Sequence, residues 1–173
     1  MSDVTTRWTV VGTPVGPLRV VAEHGALTAI QFHPFDEVAR ALHGAPRDDD
    51  APVLIEAARQ LSAYFAGELR EVDLPLAAVG TEYQRRGWEV LGDVRHGTTV
   101  TYAEVARRLG QVPGASRAVG LACGRNPLPV VVPCHRVVGT NGTLTGYAGG
   151  VERKRLLLEL EQAPVVRTQA TLF

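Results

Sequence analysis

The stretch Val130-Val131-Val132-Pro133-Cys134-His135-Arg136-Val137-Val138 decides how the chain is read. Two β-branched runs flank a Pro-Cys-His-Arg turn. Val130 to Val132 predict a short buried strand, because continuous branched apolar residues suit a strand covered on both faces. Pro133 fixes φ and removes a ladder donor, so the strand stops there. Cys134 then emerges at the end of a rigid element, beside an imidazole and a guanidinium. Nearby positive charge and hydrogen-bond partners favour the thiolate, which is the nucleophilic form. Residue type alone points the other way, since a free cysteine is most often a small buried apolar group. The neighbouring stretches decide between the two.

The length, 173 residues, suits one ordinary domain or two small ones. With 45% hydrophobic and 21% charged residues the chain is globular in composition, not disordered. No apolar run approaches the roughly 18 residues that span a bilayer, and Met1 to Arg7 lacks a basic start with an apolar core. The expectation is a cytoplasmic protein with no membrane contact. Cys123 and Cys134 fit a reduced pair better than a disulfide framework. They cannot close a zinc site alone, and His24, His33 and His43 show no ligand spacing, so no metal and no cofactor are expected. The net charge is zero but unevenly spread. Residues 1–94 carry 8 basic and 14 acidic side chains, whereas residues 95–155 carry 9 basic and 2 acidic. A basic region in a neutral chain points to a polyanion-binding face, or to a merely solvated one.

Trp8–Val11, Leu18–Val21 and Leu27–Phe32 read as three strands of an antiparallel meander, separated by turn residues at 12–17 and 23–25. Residues 33–50 read as a loop with a short helix. Pro52 to Glu68 has helical spacing, with Leu54, Ala57, Ala58, Leu61, Tyr64 and Phe65 on one stripe and Gly67 as the stop. Thr81 and Gln84 form a capping box that opens a helix to Leu91, weakened inside by Gly87. Tyr102 to Gly110 and Ala115 to Cys123 are two helices around Gln111-Val112-Pro113-Gly114. They form a helix-turn-helix pattern, or simply a packed helix pair. Asn126-Pro127 ends the second helix. Gly139–Gly142 is a turn and Thr143–Gly150 a Gly-rich loop without the lysine of a phosphate cradle. Val151 to Glu161 is an amphipathic helix with Leu156, Leu157 and Leu160 expected inward. Pro164 to Phe173 is an unassigned tail.

These stretches resemble the O6-alkylguanine-DNA alkyltransferases. The resemblance rests on Pro133-Cys134-His135-Arg136-Val137, on Arg117-Ala118-Val119-Gly120 and Asn126-Pro127 before it, and on Gly146-Tyr147-Ala148-Gly149-Gly150 after it. Pro14 to Leu18 and Tyr64-Phe65-Ala66-Gly67 extend it through the N-terminal half, so it covers about Thr9 to Glu161. It implies an α+β (α/β) chain: an N-terminal ribonuclease-H-like sheet-and-helix domain at 1–77, a linker at 78–80, a mostly helical DNA-binding domain with a helix-turn-helix at 81–162, and a tail at 163–173. The basic half then faces DNA.

The resemblance also implies a reaction. Cys134 attacks the alkyl carbon of O6-alkylguanine in double-stranded DNA, and of O4-alkylthymine as a second substrate, in one displacement. The base first leaves the stack through the minor groove. The thiol proton passes through a water to His135, which Glu161 orients. Asn126 ties the turn to these hydrogen bonds. Arg117 fills the hole left by the flipped base, and Tyr102 turns the phosphate and bonds guanine N3. Ala118, Gly120 and Cys123 belong to the groove-facing helix. Val137, Tyr147, Ala148 and Lys154 belong to the base pocket. Arg136 is read as structural. The thioether product offers no carbon that water can attack, so each molecule acts once. The protein is expected to be monomeric in solution and cooperative on DNA.

Two places depart from the family pattern: Tyr83-Gln84-Arg85-Arg86-Gly87-Trp88, where Phe and Val are usual, and Arg95-His96-Gly97, where Pro-x-Gly is usual. Both are packing or loop positions. Two other readings stand beside the alkyltransferase: a non-catalytic binder of alkylated DNA or helix-turn-helix regulator, and a thiol hydrolase, which needs an oxyanion hole.

Overall fold

The structure, a computed structural model, describes residues 5–35, 42, 44–112 and 114–164. The chain divides into two compact units, Met1–Val79 and Gly80–Phe173. Among the described residues no helix is long and apolar enough to cross a membrane.

The first unit is built on the expected meander. Strands β1 (Arg7–Val11), β2 (Leu18–Glu23) and β3 (Ala26–Phe32) pair antiparallel in that order, with Val11 opposite Leu18 and Leu18 opposite Phe32. Helix α1 (Pro52–Phe65) packs on β1 and β2. Its buried face is Leu54, Ala57, Gln60, Leu61, Tyr64 and Phe65. It meets a β2 whose Leu18, Val20 and Val21 are completely enclosed. Each such leucine contributes about 1.5–3 kcal/mol through burial. Gly67, at φ 76°, ends the helix as expected. The extended segment after it is pinned to β3: Leu27 N–H donates to Pro75 O and Ala77 N–H to Leu27 O, each at 2.8 Å. Arg19 was not singled out from the sequence. It lies buried between the Trp8 and Phe35 rings, with its Nε donating to Gln31 Oε1 at 2.7 Å. The short helix expected within 33–50 lies largely outside the described residues, as do His43 and nearly all of the tail.

The second unit is helical. Its elements are α2 (Glu82–Gly92), β4 (Val100–Thr101), α3 (Tyr102–Arg108), α4 (Ser116–Gly124), β5 (Val137–Val138) and α5 (Val151–Leu160). The capping box forms: Thr81 Oγ1 accepts from Gln84 N–H, and Thr81 N–H donates to Gln84 Oε1. Helices α2, α3 and α4 pack together, and Trp88 Nε1 donates to Ala122 O at 3.0 Å inside the bundle. β4 and β5 form a two-stranded parallel ribbon. This places Tyr102, the first residue of α3, next to the chain leaving Cys134.

Two expectations fail here. Val130 to Val132 is a tight turn, and the strand is Val137–Val138 instead. Helix α5 turns Lys154, Leu157 and Leu158 inward and leaves Leu156 46% exposed, while Leu160 is half-buried. The inward phase runs 154, 157, 158, 161, so two polar residues take places that an apolar pattern assigns to leucines. Leu158 packs with Val138 and Ala163.

Candidate active site

The turn that presents Cys134 is held by one amide. Beyond the end of α4, Asn126 N–H donates to Cys123 O at 3.2 Å, and Pro127 prevents continuation. The buried Asn126 side chain then organises the next eight residues. Its Oδ1 accepts from Leu128 N–H at 2.9 Å, while its Nδ2 donates to Val132 O at 2.8 Å and to Cys134 Sγ at 3.2 Å. Val132 N–H closes the turn onto Leu128 O at 2.8 Å. With both backbone groups of Val132 satisfied locally, that residue needs no partner strand, and the valine run turns instead of extending. Val130 sits at φ 74°. A β-branched residue there stores about 1–3 kcal/mol of strain, held by the surrounding bonds. Cys134 opens a single 3-10 turn, Cys134–Arg136, and is 3% exposed.

That turn sends successive side chains to different partners. His135 is fully enclosed, and its Nε2 lies 2.7 Å from Glu161 Oε1. Glu161 caps the C-terminus of α5 and is also buried. Arg136 grips the same carboxylate from the side: Nε donates to Oε2 and Nη2 to Oε1, both at 2.9 Å, while Nη1 donates to Val94 O at 2.6 Å. A carboxylate gripped by a guanidinium in this way acts as an acceptor, so His135 Nε2–H donates to it. His135 Nδ1 is buried with no protein partner. Burial depresses the His135 pKa below its usual 6.5 and the Glu161 bond only partly opposes this, so the ring is neutral and Nδ1 is a free acceptor.

Arg136 is thus committed to Glu161 and Val94 O, and the cation that acts on the sulfur is Lys154. It is completely buried in α5, with Nζ 3.3 Å from Tyr102 Oη and 5.6 Å from that ring's centre. Burial pushes the Cys134 thiol up, while the Asn126 hydrogen bond and the Lys154 charge hold it down. Burial wins, so Cys134 rests as a thiol, the starting state that the expected proton relay needs, even though neighbouring positive charge favours the thiolate. Burial and the neighbouring Cys134 push Cys123 up to about 12. Burial likewise raises Tyr102 and lowers Lys154. Tyr102 therefore stays a phenol at neutral pH, and its Oη also accepts from Thr145 Oγ1 at 3.0 Å.

An open cavity of about 600 Å³ lies in front of the sulfur. Of the residues singled out from the sequence, it brings together Tyr102, Arg117, Gly120, Cys123, Cys134, Tyr147 and Ala148. Asn126, His135, Glu161 and Lys154 support it from the buried side through the contacts above. Val137 does not line it; it is enclosed and pairs with Val100. Ala118 is half-buried on α4 and also lies off the cavity wall. The sequence reading missed three contributors: Arg136 as the clamp on Glu161, Thr145 as the bond to Tyr102, and Leu121 on the rim. The expected leucine phase of α5 gave no place to Lys154 or Glu161 on its buried side. A polar residue seven positions after Lys154 was the available clue.

Comparison with known proteins identifies the chain's relatives. The family model described as 6-O-methylguanine DNA methyltransferase, DNA binding domain, matches residues 82–163, and the one described as its ribonuclease-like domain matches residues 6–78. The methylated-DNA–protein-cysteine methyltransferase of Mycobacterium leprae is 46% identical over 162 residues, covering 93% of this chain and 94% of its own. That of Mycobacterium tuberculosis is 44% identical over 153 residues, covering 88% and 90%. The crystal structure of the M. tuberculosis O6-methylguanine methyltransferase superposes with TM-score 0.82 at 44% identity, covering 92% of this chain and 95% of that one. The same organism's protein in complex with DNA gives TM-score 0.81 at 45% identity, covering 91% and 95%.

Proposed function

This chain belongs to the 6-O-methylguanine DNA methyltransferase family, and from that premise we propose that Cys134 is the residue that takes the alkyl group from O6-alkylguanine in duplex DNA. The family activity is direct-reversal repair by transfer to a protein cysteine. The observation that carries the assignment is the pairing of a cavity-lining thiol with a buried, neutral imidazole whose Nδ1 is unclaimed. Cys123 shares the cavity, but burial raises both thiols, and only Cys134 has the Asn126 hydrogen bond and the adjacent imidazole with an unclaimed Nδ1.

The step is a single displacement. His135 Nδ1 takes the Cys134 proton through a bridging water, and the resulting imidazolium is stabilised by the Glu161 carboxylate. Sγ attacks the alkyl carbon, the S–C bond forms, and the carbon–O6 bond breaks. The electron pair leaves on guanine, which is neutralised when Tyr102 Oη gives its proton to N3. The Lys154 ammonium beside Tyr102 Oη eases that donation. Asn126 keeps the sulfur aimed, and its hydrogen bond becomes stronger as the sulfur gains charge. O4-alkylthymine offers the same leaving-group chemistry. The thioether has no route to regeneration, so the protein is consumed.

The base must be extruded to reach the cavity. Arg117, exposed near the start of α4, fills the vacated space in the duplex, while Tyr147 and Ala148 cover the extruded base. Under excess duplex carrying O6-methylguanine, product should plateau at one per protein molecule. Arg117→Ala should slow repair of the duplex far more than reaction with free O6-benzylguanine. Continued turnover past one equivalent contradicts the proposal. Equal losses on the two substrates contradict the extrusion role.

A further inference from the structure

Helix α4 has a buried face of Val119, Ala122 and Cys123. Its opposite stripe, Arg117, Gly120, Leu121 and Gly124, falls at helical spacing and every member lines the cavity mouth. Three of the four suit a basic, close-fitting surface. Leu121 does not, because it is a large apolar side chain left 60% exposed. Nor do the flanking glycines answer to internal packing. A Cβ at Gly120 would meet only Tyr102 Cε1 at an ordinary 3.9 Å, and at Gly124 nothing lies within 4 Å. Glycine within a helix costs up to about 1 kcal/mol relative to alanine. The stripe is therefore shaped for something outside the chain: bare backbone on both sides, with a leucine standing proud between them, one turn from a guanidinium.

We propose that Leu121 is an apolar wedge that enters the minor groove and covers the base step opened beside the lesion. The inference rests on the alkyl-transfer reading above and adds a specificity-determining residue to it. Minor-groove proteins that unstack DNA do so with Leu, Phe, Ile or Met side chains, which replace the lost stacking contacts. Arg117 one turn earlier supplies the polar half of the same device, since it can bond the orphaned partner base while Leu121 covers the exposed ring faces. Arg125 at the end of α4 is exposed and basic, and of the 9 basic residues in region 95–155 only Arg136 and Lys154 are buried, against 2 acidic residues in all. A polyanion therefore fits this face, since only Glu104 and Glu152 in this region carry charge that would repel it.

The test compares single-turnover alkyl transfer by the full chain and by Leu121→Ala, Leu121→Asn and Leu121→Met. Substrates are a short duplex with one O6-methylguanine and free O6-benzylguanine. Leu121→Ala and Leu121→Asn should slow transfer from the duplex roughly tenfold more than transfer from the free base, the scale of losing one buried leucine contact. Leu121→Met should restore the duplex rate, and a 2-aminopurine next to the lesion should brighten on binding only with Leu or Met present. An unchanged ratio between the two substrates overturns the wedge. So does a loss seen only on duplexes long enough for two protein copies, which would mark Leu121 as a contact between copies. If the unaltered chain alkylates neither substrate, the parent reading fails, and that outcome is distinct from the others.

Discussion

His135 Nε2 and Glu161 Oε1 meet at 2.7 Å with neither side chain exposed. Because Arg136 already neutralises the carboxylate, this contact orients the ring without charging it. The orientation of this imidazole is thus set by a residue 26 positions away, at the end of another helix.

The pH dependence follows from burial. The folded pKa of His135 lies below its ordinary 6.5, so the unfolded chain takes up that proton first on acidification. The stability tied to His135 is complete above pH 6.5 and is lost as pH falls from there through the folded value. Alkyl transfer should accordingly hold its rate through the ordinary imidazole range. Unfolding midpoints against pH for the unaltered chain and for His135→Gln should diverge in this way, with the acid loss shallower in the variant. A stability that grows on acidification through the same range contradicts the assignment.

Arg136→Ala should be among the most damaging single changes in the second unit. It strips the buried Glu161 carboxylate of two charged hydrogen bonds and frees Val94 O. Removing one partner of a buried ion pair costs about 3–5 kcal/mol. Because Arg136 also depresses His135, the imidazole should titrate at higher pH in the variant. Urea unfolding and proton NMR of the ring check the two effects, and a loss under about 1 kcal/mol contradicts the clamp.

Asn126→Ala and Lys154→Met each remove an influence that holds the Cys134 thiol down. Both should push it further up, so that reaction with iodoacetamide requires more alkaline solution. Asn126→Ala should also cost about 1–3 kcal/mol, since it strands Leu128 N–H and Val132 O in the interior. A thiol that reacts at unchanged or lower pH in either variant refutes the electrostatic account.

Two glycines of the second unit give opposite forecasts. At Gly87, inside α2, a Cβ would touch only Ala122 Cβ at 3.9 Å, so Gly87→Ala should stabilise by up to about 1 kcal/mol through helix propensity. At Gly80 the same atom would lie 2.5 Å from Trp88 Cη2, so Gly80→Ala must displace a buried ring and should destabilise. Thermal melts read both, and the same sign for the two would be wrong.

The strands, the helices and the meander were legible because their signals are local: periodicity, the Thr81–Gln84 box, and Gly67 and Gly110 as stops. Cys134, His135 and Asn126 were legible through family resemblance, and Glu161 with them. The valine run misled because a side chain, Asn126, replaced the partner strand, and no local pattern records that substitution. The phase of α5 misled because Lys154 and Glu161 occupy its buried face, satisfied by Tyr102, His135 and Arg136 from elsewhere in the chain. Sequence adjacency overstates the pull of Arg136 on the thiol, because Arg136 points to Glu161 and desolvation outweighs the cation that does reach the sulfur.

The most direct test is peptide mass analysis after incubation with an equimolar duplex carrying O6-methylguanine. The account predicts one methyl group per molecule, on the peptide containing Cys134, with restored guanine in the DNA and no gain in Cys134→Ala. A methyl group found on Cys123, or repaired DNA without any gain in protein mass, would contradict it.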